Sequence, residues 1–447
     1  MSRTFFIILV AMLIYPDTEL PGAMPPQVNY DESKIPVFDL TDPLLAKDGR
    51  KVDSAQFWNE VRRPELLKLF ADEMFGNLPL PVNDLESAGF ALAIHNLADP
   101  ATVFDGKGTR HQIRLQFTPN GQRKDGDPKI DVLIYTPNNA KEKVPVFIGL
   151  NFQGNHTVNA DPGIKLGAVW AKPEGAKDFT LLPAREEDRG KQSERWQVEM
   201  ILDRGFAVAS AYYGDIEPDF DGGRKYGVRR LIDRESDELK PDEGNAIATW
   251  AWGLTQIRHV INMYADRFNI DAEKIAVIGH SRLGKTALWA GATDPKFALV
   301  ISNNSGCGGA ALSKREFGET VHRINTSFPH WFCDNFKKYN EDVNSLPFDQ
   351  HELIALIAPR PIYVASAEED RWADPKGEFL SAFYADSVYR LLGTDGIADV
   401  TEMPEINCSV GGTIGYHIRT GEHDVKEFDW KQFLDFAEKH LKRSPAR

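Results

Sequence analysis

The chain has few cysteines, no excess of basic residues and no hydrophobic run long enough to cross a membrane. Its 447 residues carry a formal net charge of −14, whereas nucleic acids and anionic membranes favour proteins with clustered Lys and Arg. We therefore expect neither as a partner. The chain also lacks internal repeats and low-complexity tracts, which excludes a repeat architecture.

The three cysteines set a limit on disulfide bonding. Cys307, Cys333 and Cys408 allow one disulfide and leave one thiol over, and the sequence does not select the pair. An equally good interpretation is that all three are small buried residues without a covalent partner.

The longest apolar run lies close to the start of the chain. Arg3 is followed by apolar residues from Phe5 to Tyr15 and then by Pro16, which is the pattern of a secretory signal peptide. A membrane-spanning helix needs about 20 apolar residues, so a stable anchor is not expected. We predict a signal peptide over 1–23 and a secreted or periplasmic protein, with a buried N-terminal strand as the alternative.

The remainder, 24–447, is long enough for one large α/β domain. Near-continuous apolar runs alternate with helical stretches, which is typical of a parallel sheet buried on both faces. Predicted strands are Ile130–Tyr135, Val144–Phe152, Ala207–Tyr213, Ile275–Gly279, Ala298–Asn303 and Pro361–Ala367. Predicted helices are Arg63–Gly76, Ala246–Asp266, Leu283–Ala292 and Phe428–Leu441. We expect an extended Pro-rich N-terminal arm and an exposed insertion at 165–195.

The segment Ile275–Lys285 carries the strongest chemical signal. An apolar strand stops at Gly279 and a helix begins almost at once, with Ser281 at the corner. This is the setting of an esterase nucleophile, because the turn lifts the serine clear of the sheet and the next backbone N–H supplies half of an oxyanion hole. The usual second glycine comes one place late, at Gly284. A helix N-cap is the alternative role for this serine.

The longer motif resembles the glucuronoyl esterases of carbohydrate esterase family 15. Further strings match the same family in the same order along the chain. The matching strings are Gly279-x-Ser281-Arg282-x-Gly284-Lys285, Leu150 to Thr157, Asn304 to Gly309, Phe317 to Thr320, Trp372 to Pro375 and Gly421 to Asp424. The resemblance implies an α/β-hydrolase fold, a three-layer sandwich around a mostly parallel sheet, with a serine triad. It also implies no metal and no cofactor, and we expect a monomer.

The triad acid is expected just after the strand Pro361–Ala367. In this fold the chain order is serine, acid, histidine, and Asp370 matches the usual acid turn. Glu368, Glu369 and Asp374 are the alternatives. Many family members instead place a glutamate where this chain has Asn304, whose amide has no charge with which to stabilise an imidazolium.

Three histidines follow the predicted acid. His440 lies inside the last predicted helix and is interpreted as a surface residue. His423 stands in a turn a few residues before that helix, where the fold places its histidine, and His417 lies deeper in the same loop. We predict His423 as the base, with His417 as the alternative.

Four more residues are expected to act in the site. Arg282 and Lys285 lie in the first turn of a helix, where the helix dipole disfavours cations. We therefore expect Arg282 to stabilise the oxyanion and Lys285 to bind sugar hydroxyls, with salt bridges to nearby acids as the alternative. Glu319 and Trp372 match family positions that bind the glucuronoyl ring.

The loop from Asn151 to Thr157 is expected to supply the second oxyanion N–H, from Phe152 or Gln153. His156 in this loop has no accompanying pair with metal-ligand spacing, so we interpret it as structural.

The resemblance implies a secreted carboxylic ester hydrolase of the 4-O-methyl-glucuronoyl methylesterase type. It would act on glucuronoxylan or lignin–carbohydrate esters through an acyl-enzyme. An acetyl-xylan or other carbohydrate esterase, and a catalytically inactive carbohydrate-binding relative, are the alternatives.

Overall fold

The structure is a computed structural model that describes residues 28–80, 85, 89–119, 126–232 and 238–442. The predicted signal peptide, residues 1–23, lies outside these ranges. Within these ranges, no helix is both long enough and apolar enough to cross a bilayer.

Twelve strands are described. They are β1 Phe90–Val103, β2 Gly108–Pro119, β3 Lys129–Pro137, β4 Val144–Asn151, β5 Ala168–Ala171, β6 Thr180–Pro183, β7 Ala207–Tyr212, β8 Ile270–His280, β9 Leu299–Asn303, β10 Ile362–Ala367, β11 Cys408–Gly411 and β12 Ile414–Arg419. The α-helices are α1 Ala55–Phe57, α2 Arg63–Phe70, α3 Ser193–Trp196, α4 Val198–Asp203, α5 Tyr213–Ile216, α6 Ala246–Met263, α7 Ala265–Phe268, α8 Arg282–Thr293, α9 Val321–Ser327, α10 Gln350–Ala355, α11 Pro375–Leu391 and α12 Glu427–Ala437.

One ten-stranded sheet organises the chain, in the order β1-β2-β3-β7-β4-β8-β9-β10-β12-β11. Neighbours from β7 to β12 are parallel. The outer pairs β1–β2, β2–β3, β3–β7 and β11–β12 are antiparallel. Strands β5 and β6 form a separate hairpin.

Helices cover both faces of this sheet because side chains along each strand alternate between them. In β4, Val146 and Ile148 point into a core with α6 and α8. Phe147 between them points into a second core with α4 and α12. The three-layer α/β architecture predicted from the sequence is confirmed.

All six predicted strands are present, with ends shifted by a few residues, and three of the four predicted helices correspond to α6, α8 and α12. The strands that the sequence did not reveal include β1, β2 and β12. Strands β1 and β2 are antiparallel and polar along part of their length. Strand β12 interrupts its apolar residues with His417 and Arg419, which are buried against Asp429.

The first helix was predicted wrongly at its start. Ser54 caps it by accepting a hydrogen bond from the Phe57 N–H, so the helix begins at Ala55 rather than at Arg63. Pro64 lies in the first turn of α2, which is a common start signal. Here a π-helical stretch, Trp58–Arg62, leads into it.

The predicted insertion at 165–195 contains the β5–β6 hairpin and α3. It contacts the carboxyl edge of the sheet, because the Trp170 N–H donates to the Tyr212 hydroxyl at 3.0 Å. The Gln192 amide donates to Gln153 in the loop after β4. The insertion therefore lies beside the edge where open parallel sheets place their ligands.

Candidate active site

Ser281 lies on a sharp turn between β8 and α8. Its backbone has φ 58° and ψ −130°, a strained conformation for a residue with a side chain. Its N–H donates to the Asn303 carbonyl at 2.9 Å, which fixes the turn to the neighbouring strand. The side chain makes no N-cap hydrogen bond to α8, unlike the alternative role considered from the sequence.

Two glycines make this turn possible. A Cβ on Gly279 would lie 1.8 Å from the Leu283 carbonyl oxygen. A Cβ on Gly284 would lie 2.9 Å from the Ser305 Cβ. The second glycine of the motif can come one place late because close approach to Ser305 is needed at 284, whereas position 283 holds a buried leucine.

A histidine and a carboxylate meet beside this turn. His423 Nδ1 lies 2.6 Å from Asp370 Oδ2, and Asp370 is 5% exposed. The His423 ring lies 4.5 Å from the ring of His280, the residue before Ser281. Three predicted positions, separated by up to 142 residues in sequence, therefore converge at the carboxyl ends of β8, β10 and β12.

The other candidate bases lie elsewhere. His417 is completely buried in β12, where its Nε2 contacts Asp429 at 2.8 Å and its Nδ1 contacts the Tyr363 hydroxyl. His440 contacts the Gly412 carbonyl through Nε2. Neither arrangement places an imidazole on Asp370.

The alternative acids have other surroundings as well. Asp374 accepts from Arg315 Nε at 2.8 Å and caps α11 through the Gly377 N–H. Glu369 is exposed and Glu368 is half-buried. Asp370 is the carboxylate of this loop that contacts His423.

Asn304 contacts the same carboxylate as His423. Its amide Nδ2 donates to Asp370 Oδ2 at 2.8 Å, and its own N–H donates to the Ala365 carbonyl at 2.7 Å. Asn304 thus provides an uncharged donor to Asp370. This contact holds Asp370 in place without adding a second negative charge.

The side chain of Arg282, the residue after Ser281, is surrounded by aromatic rings. Its guanidinium carbon is 5.0 Å from the Trp331 ring centre, 5.5 Å from that of Phe152 and 6.0 Å from that of Phe328. One guanidinium N–H donates to Asp219. The salt-bridge alternative is therefore present, and it holds the guanidinium between Asp219 and these rings.

Asp219 is the site residue that sequence reasoning missed. Its carboxylate also accepts from His330 Nε2 at 2.8 Å, from Trp331 Nε1 at 2.7 Å and from the Tyr213 hydroxyl at 3.1 Å. Burial alone would raise the pKa of Asp219, but Arg282 and these donors outweigh it and hold the pKa below its ordinary value. The signal was an acid-rich segment just past β7, at the carboxyl edge of the sheet.

Lys285, Glu319 and Trp372 lie together close to Arg282, because Lys285 Nζ is 5.8 Å from the centre of the same Trp331 ring. Lys285 Nζ donates to the Ser305 carbonyl at 2.6 Å and lies 3.7 Å from Glu319 Oε2. The Glu319 N–H donates to the Trp372 carbonyl at 2.9 Å. Burial raises the pKa of Glu319, while the ammonium of Lys285 opposes that rise. The structure thus brings together the three residues predicted to bind substrate.

Phe152, in the loop predicted to supply the second oxyanion N–H, packs against the residue that precedes Ser281. Its ring centre is 6.2 Å from that of His280 and 5.6 Å from that of Tyr213. The assignment of the donor to Phe152 or Gln153 stays a prediction.

Arg419 holds the loop that carries His423. Its guanidinium donates to the carbonyls of Thr420, Glu422 and Asp424 at 2.6–3.0 Å and to Asp429 at 2.8 Å. These contacts fix the backbone on both sides of His423.

Glu378 is a buried acid that holds the two loops around Asp370. Its carboxyl accepts from the N–H groups of Ser305 and Gly306 at 2.7 and 3.0 Å and from the Ser366 hydroxyl at 2.6 Å. Burial raises the pKa of Glu378 to about 8, and the nearby charge of Asp370 adds to that rise.

This raised pKa makes a prediction about stability. Between pH 5 and pH 8 the folded chain keeps a proton on Glu378 that the unfolded chain releases, so stability should fall as pH rises across this window. We expect Glu378→Gln to flatten the fall in Tm between pH 5 and pH 8 by about 5 °C, measured by thermal unfolding. Glu369→Gln, an exposed acid in the same region, should keep the wild-type slope. Identical slopes for all three proteins would contradict this role.

The three cysteines are free, with Cys307 and Cys333 buried and Cys408 exposed. Burial raises the pKa of the Cys307 thiol. The interpretation as small buried residues without a covalent partner holds for Cys307 and Cys333 but is wrong for Cys408, which is exposed on β11. Among the residues that the structure describes, the disulfide alternative is absent. Nor do those residues contain a group of three or more His, Cys, Asp and Glu side chains placed to hold a metal ion.

Comparisons with known proteins agree on one family. A model described as fungal glucuronyl esterase matches residues 240–393. Carbohydrate esterase MZ0003, from an unknown prokaryotic organism, is 46% identical over 446 residues and covers 99% of both chains.

Two solved structures match over nearly the whole fold. A glucuronoyl esterase from Solibacter usitatus is 42% identical with a TM-score of 0.84, covering 92% of this chain and 100% of the other. An esterase from a marine bacterial metagenome, described as a promiscuous member of carbohydrate esterase family 15, is 45% identical with a TM-score of 0.82, covering 93% and 100%.

Proposed function

The chain belongs to the glucuronoyl esterases of carbohydrate esterase family 15, carboxylic ester hydrolases with an α/β-hydrolase fold, and we propose that it cleaves esters of (4-O-methyl-)glucuronic acid through an acyl-enzyme on Ser281. The observation that carries this proposal is the bond from His423 to Asp370 beside the strained turn of Ser281. The expected substrates are ester links on glucuronoxylan or between lignin and carbohydrate.

In the proposed reaction, Ser281 Oγ attacks the ester carbonyl while His423 Nε2 takes the hydroxyl proton. Asp370 holds the ring by accepting from Nδ1–H and stabilises the imidazolium that forms. The ester C–O bond then breaks and His423 protonates the departing alcohol. Water, deprotonated by His423, attacks the acyl-enzyme and releases the uronic acid together with the serine.

Arg282 is proposed to stabilise the oxyanion of both tetrahedral intermediates, together with backbone N–H groups. Its guanidinium is held by Asp219 and surrounded by aromatic rings. A cation fixed in place before the reaction costs no reorganisation when charge develops on the substrate oxygen.

The acyl side of the site is proposed to be the pocket of Lys285, Glu319 and Trp372. An ammonium and a carboxylate at 3.7 Å provide a donor and an acceptor for vicinal sugar hydroxyls, and an indole ring provides an apolar face. An acetyl group has no hydroxyls to occupy these buried polar groups, so this pocket favours a sugar acid over an acetyl ester.

The last part of the proposal concerns export of the protein. We infer that residues 1–23 are a signal peptide, that 24–447 form a single catalytic domain, and that the mature protein is a secreted or periplasmic monomer. N-terminal sequencing of protein exported by a bacterial host should begin at residue 24, and the full-length N-terminus in the exported fraction would disprove the cleavage site.

The activity is tested by assaying purified protein on benzyl glucuronate and on an acetyl ester of matched alcohol. We expect kcat/KM at least about 10² higher on the glucuronate, because the acetyl ester leaves the polar pocket unoccupied. A higher value on the acetyl ester would favour the acetyl-xylan esterase alternative. Binding of the glucuronate ester without any burst of alcohol would indicate an inactive relative.

Arg282→Ala is expected to lower kcat on benzyl glucuronate about 10²-fold with little change in KM, because it removes one oxyanion-stabilising group. Steady-state kinetics measure both constants. Arg50→Ala is the matched control, since Arg50 also pairs with an aspartate and stacks 4.6 Å from an aromatic ring, that of Phe57. A rise in KM alone would assign Arg282 to substrate binding.

A further inference from the structure

The N-terminal arm, defined here as residues 28–36, passes over the loop that carries Glu319. The Gly318 N–H donates to the Asn29 carbonyl at 2.9 Å. The ring of Tyr30 meets that of Phe317 edge-on, with centres 6.0 Å apart and planes at 82°. The arm is therefore bonded to the residue just before Glu319.

The same arm contacts the loop that carries Asp370 and Trp372. The guanidinium of Arg371 donates to the Tyr30 carbonyl and lies 5.1 Å from the centre of the Tyr30 ring. It also lies 5.6 Å from the Phe317 ring. Arg371 thus fills the space between the arm and the two loops.

A cluster of ion pairs holds the arm at Glu32. Arg315 donates to Glu32 at 2.8 Å and to Asp374 at 2.8 Å, and Lys376 donates to Glu32 at 3.2 Å. Arg315 and Asp374 are both buried, so their ion pair is protected from solvent screening, whereas Glu32 approaches Arg315 from the solvent side. The arm is held at a defined position against both loops.

Tyr30 is an arm residue that remains partly exposed. Although its ring packs on Phe317 and Arg371, the residue keeps 39% of its surface exposed. Burial raises the pKa of its phenol, and Arg371, Asp370, Arg323 and Glu319 all act on it electrostatically. The side chain of Tyr30 therefore packs between the loop that carries Glu319 and the loop that carries Trp372.

We propose that Tyr30 is a further substrate-binding residue and that the arm completes the sugar-acid side of the active site. This inference rests on the proposed function. The exposed part of the ring offers an apolar face to the C–H surface of a sugar, and the hydroxyl offers a donor and an acceptor to its hydroxyls. The carbonyls of Asn29 and Tyr30 fix the loops on which Glu319 and Trp372 stand.

The test measures binding without turnover, in full-length protein with Ser281→Ala. Benzyl glucuronate is titrated and its Kd measured by NMR. Adding Tyr30→Ala should raise Kd about tenfold and adding Tyr30→Phe about two- to threefold, because the first removes ring and hydroxyl and the second only the hydroxyl. In enzyme with Ser281 intact, Tyr30→Ala should raise KM by a similar factor and leave kcat within about twofold.

Tyr384→Ala is the matched control, because Tyr384 is 42% exposed and also packs edge-on against a phenylalanine, Phe383. It lies on α11 and should leave Kd unchanged. A Kd for Tyr30→Ala equal to that of the control overturns the inference, even if Tm falls. If Tyr30→Ala does not fold, the Kd of Tyr30→Phe decides the question. An unchanged Kd in that variant then overturns the inference that Tyr30 binds substrate.

Failure of the proposed function gives a different result. In that case Ser281→Ala protein with Tyr30 intact shows no binding of benzyl glucuronate and the parent enzyme shows no hydrolysis, which overturns both proposals. Normal hydrolysis and binding with no effect at Tyr30 overturns only the role of the arm.

Discussion

Replacing Ser281 by alanine is expected to lower kcat on benzyl glucuronate by about three decades or more while leaving Tm close to that of the parent. The turn at Ser281 is held by its backbone, through the N–H bond to Asn303, and by the glycines at 279 and 284. The hydroxyl contributes none of these contacts. Loss of activity without loss of stability is therefore the signature of a nucleophile, as opposed to a structural N-cap.

The kcat of His423→Ala on benzyl glucuronate should fall about as far as that of Ser281→Ala. The double variant should be little worse than either single one, since residues of one catalytic unit are not additive. Release of benzyl alcohol under saturating substrate measures all three. Additive losses would indicate that the two residues act in separate steps, and near-normal activity of Ser281→Ala would overturn the whole assignment.

His417→Ala is the control for the histidine. Because His417 is buried against Asp429 and Tyr363, its loss leaves a cavity and an unpaired acceptor and should lower Tm. In the fraction of His417→Ala protein that stays folded, kcat should fall less than it does in His423→Ala. If the order of the two kinetic defects reverses, the base has been misassigned.

The central strands could be predicted from the sequence because a strand buried on both faces must be apolar throughout. Strand β12 could not, since its buried polar residues are neutralised by Asp429, which follows ten residues after Arg419 in α12. The partnership exists only once the sheet and α12 are packed together. Strand β1 lies at the edge of the sheet with its residues partly or fully exposed, so its sequence carries a weaker apolar signal. Strand β2 is mostly buried, but its buried residues include polar ones such as Arg110, His111 and Gln112, which hide the apolar pattern.

The same distinction applies to the candidate site. Ser281, Asp370 and His423 could be placed because the fold fixes their chain order and the strand ends fix their positions. Asp219 and the arm residue Tyr30 could not, because each makes its contacts with segments distant in sequence. Asp219 is distinguished from the other acids after β7 only when Arg282, His330 and Trp331 converge on it.

The acid is the next decisive test. Asp370→Asn is expected to lower kcat by about two to four decades with KM little changed, because it keeps the shape of the side chain and removes the charge that stabilises the imidazolium of His423. Steady-state kinetics on benzyl glucuronate measure both constants. Full activity in Asp370→Asn, with collapse in variants of Glu368, Glu369 or Asp374, would identify another carboxylate of this loop as the acid.

Variants at Asn304 provide a control for Asp370→Asn and a test of whether its activity can be restored. Asn304→Ala removes a donor to Asp370 Oδ2 but no charge, so it should cost far less, within about tenfold in kcat. Because Asn304 and His423 contact the same oxygen of Asp370, a glutamate at 304 would enter the surroundings of the same imidazole. Asn304→Glu should therefore restore part of the activity of Asp370→Asn, about tenfold, and should harm the enzyme that keeps Asp370, where two carboxylates repel each other. Opposite signs in the two backgrounds would show that one negative charge on His423, supplied from either strand end, is what this site requires.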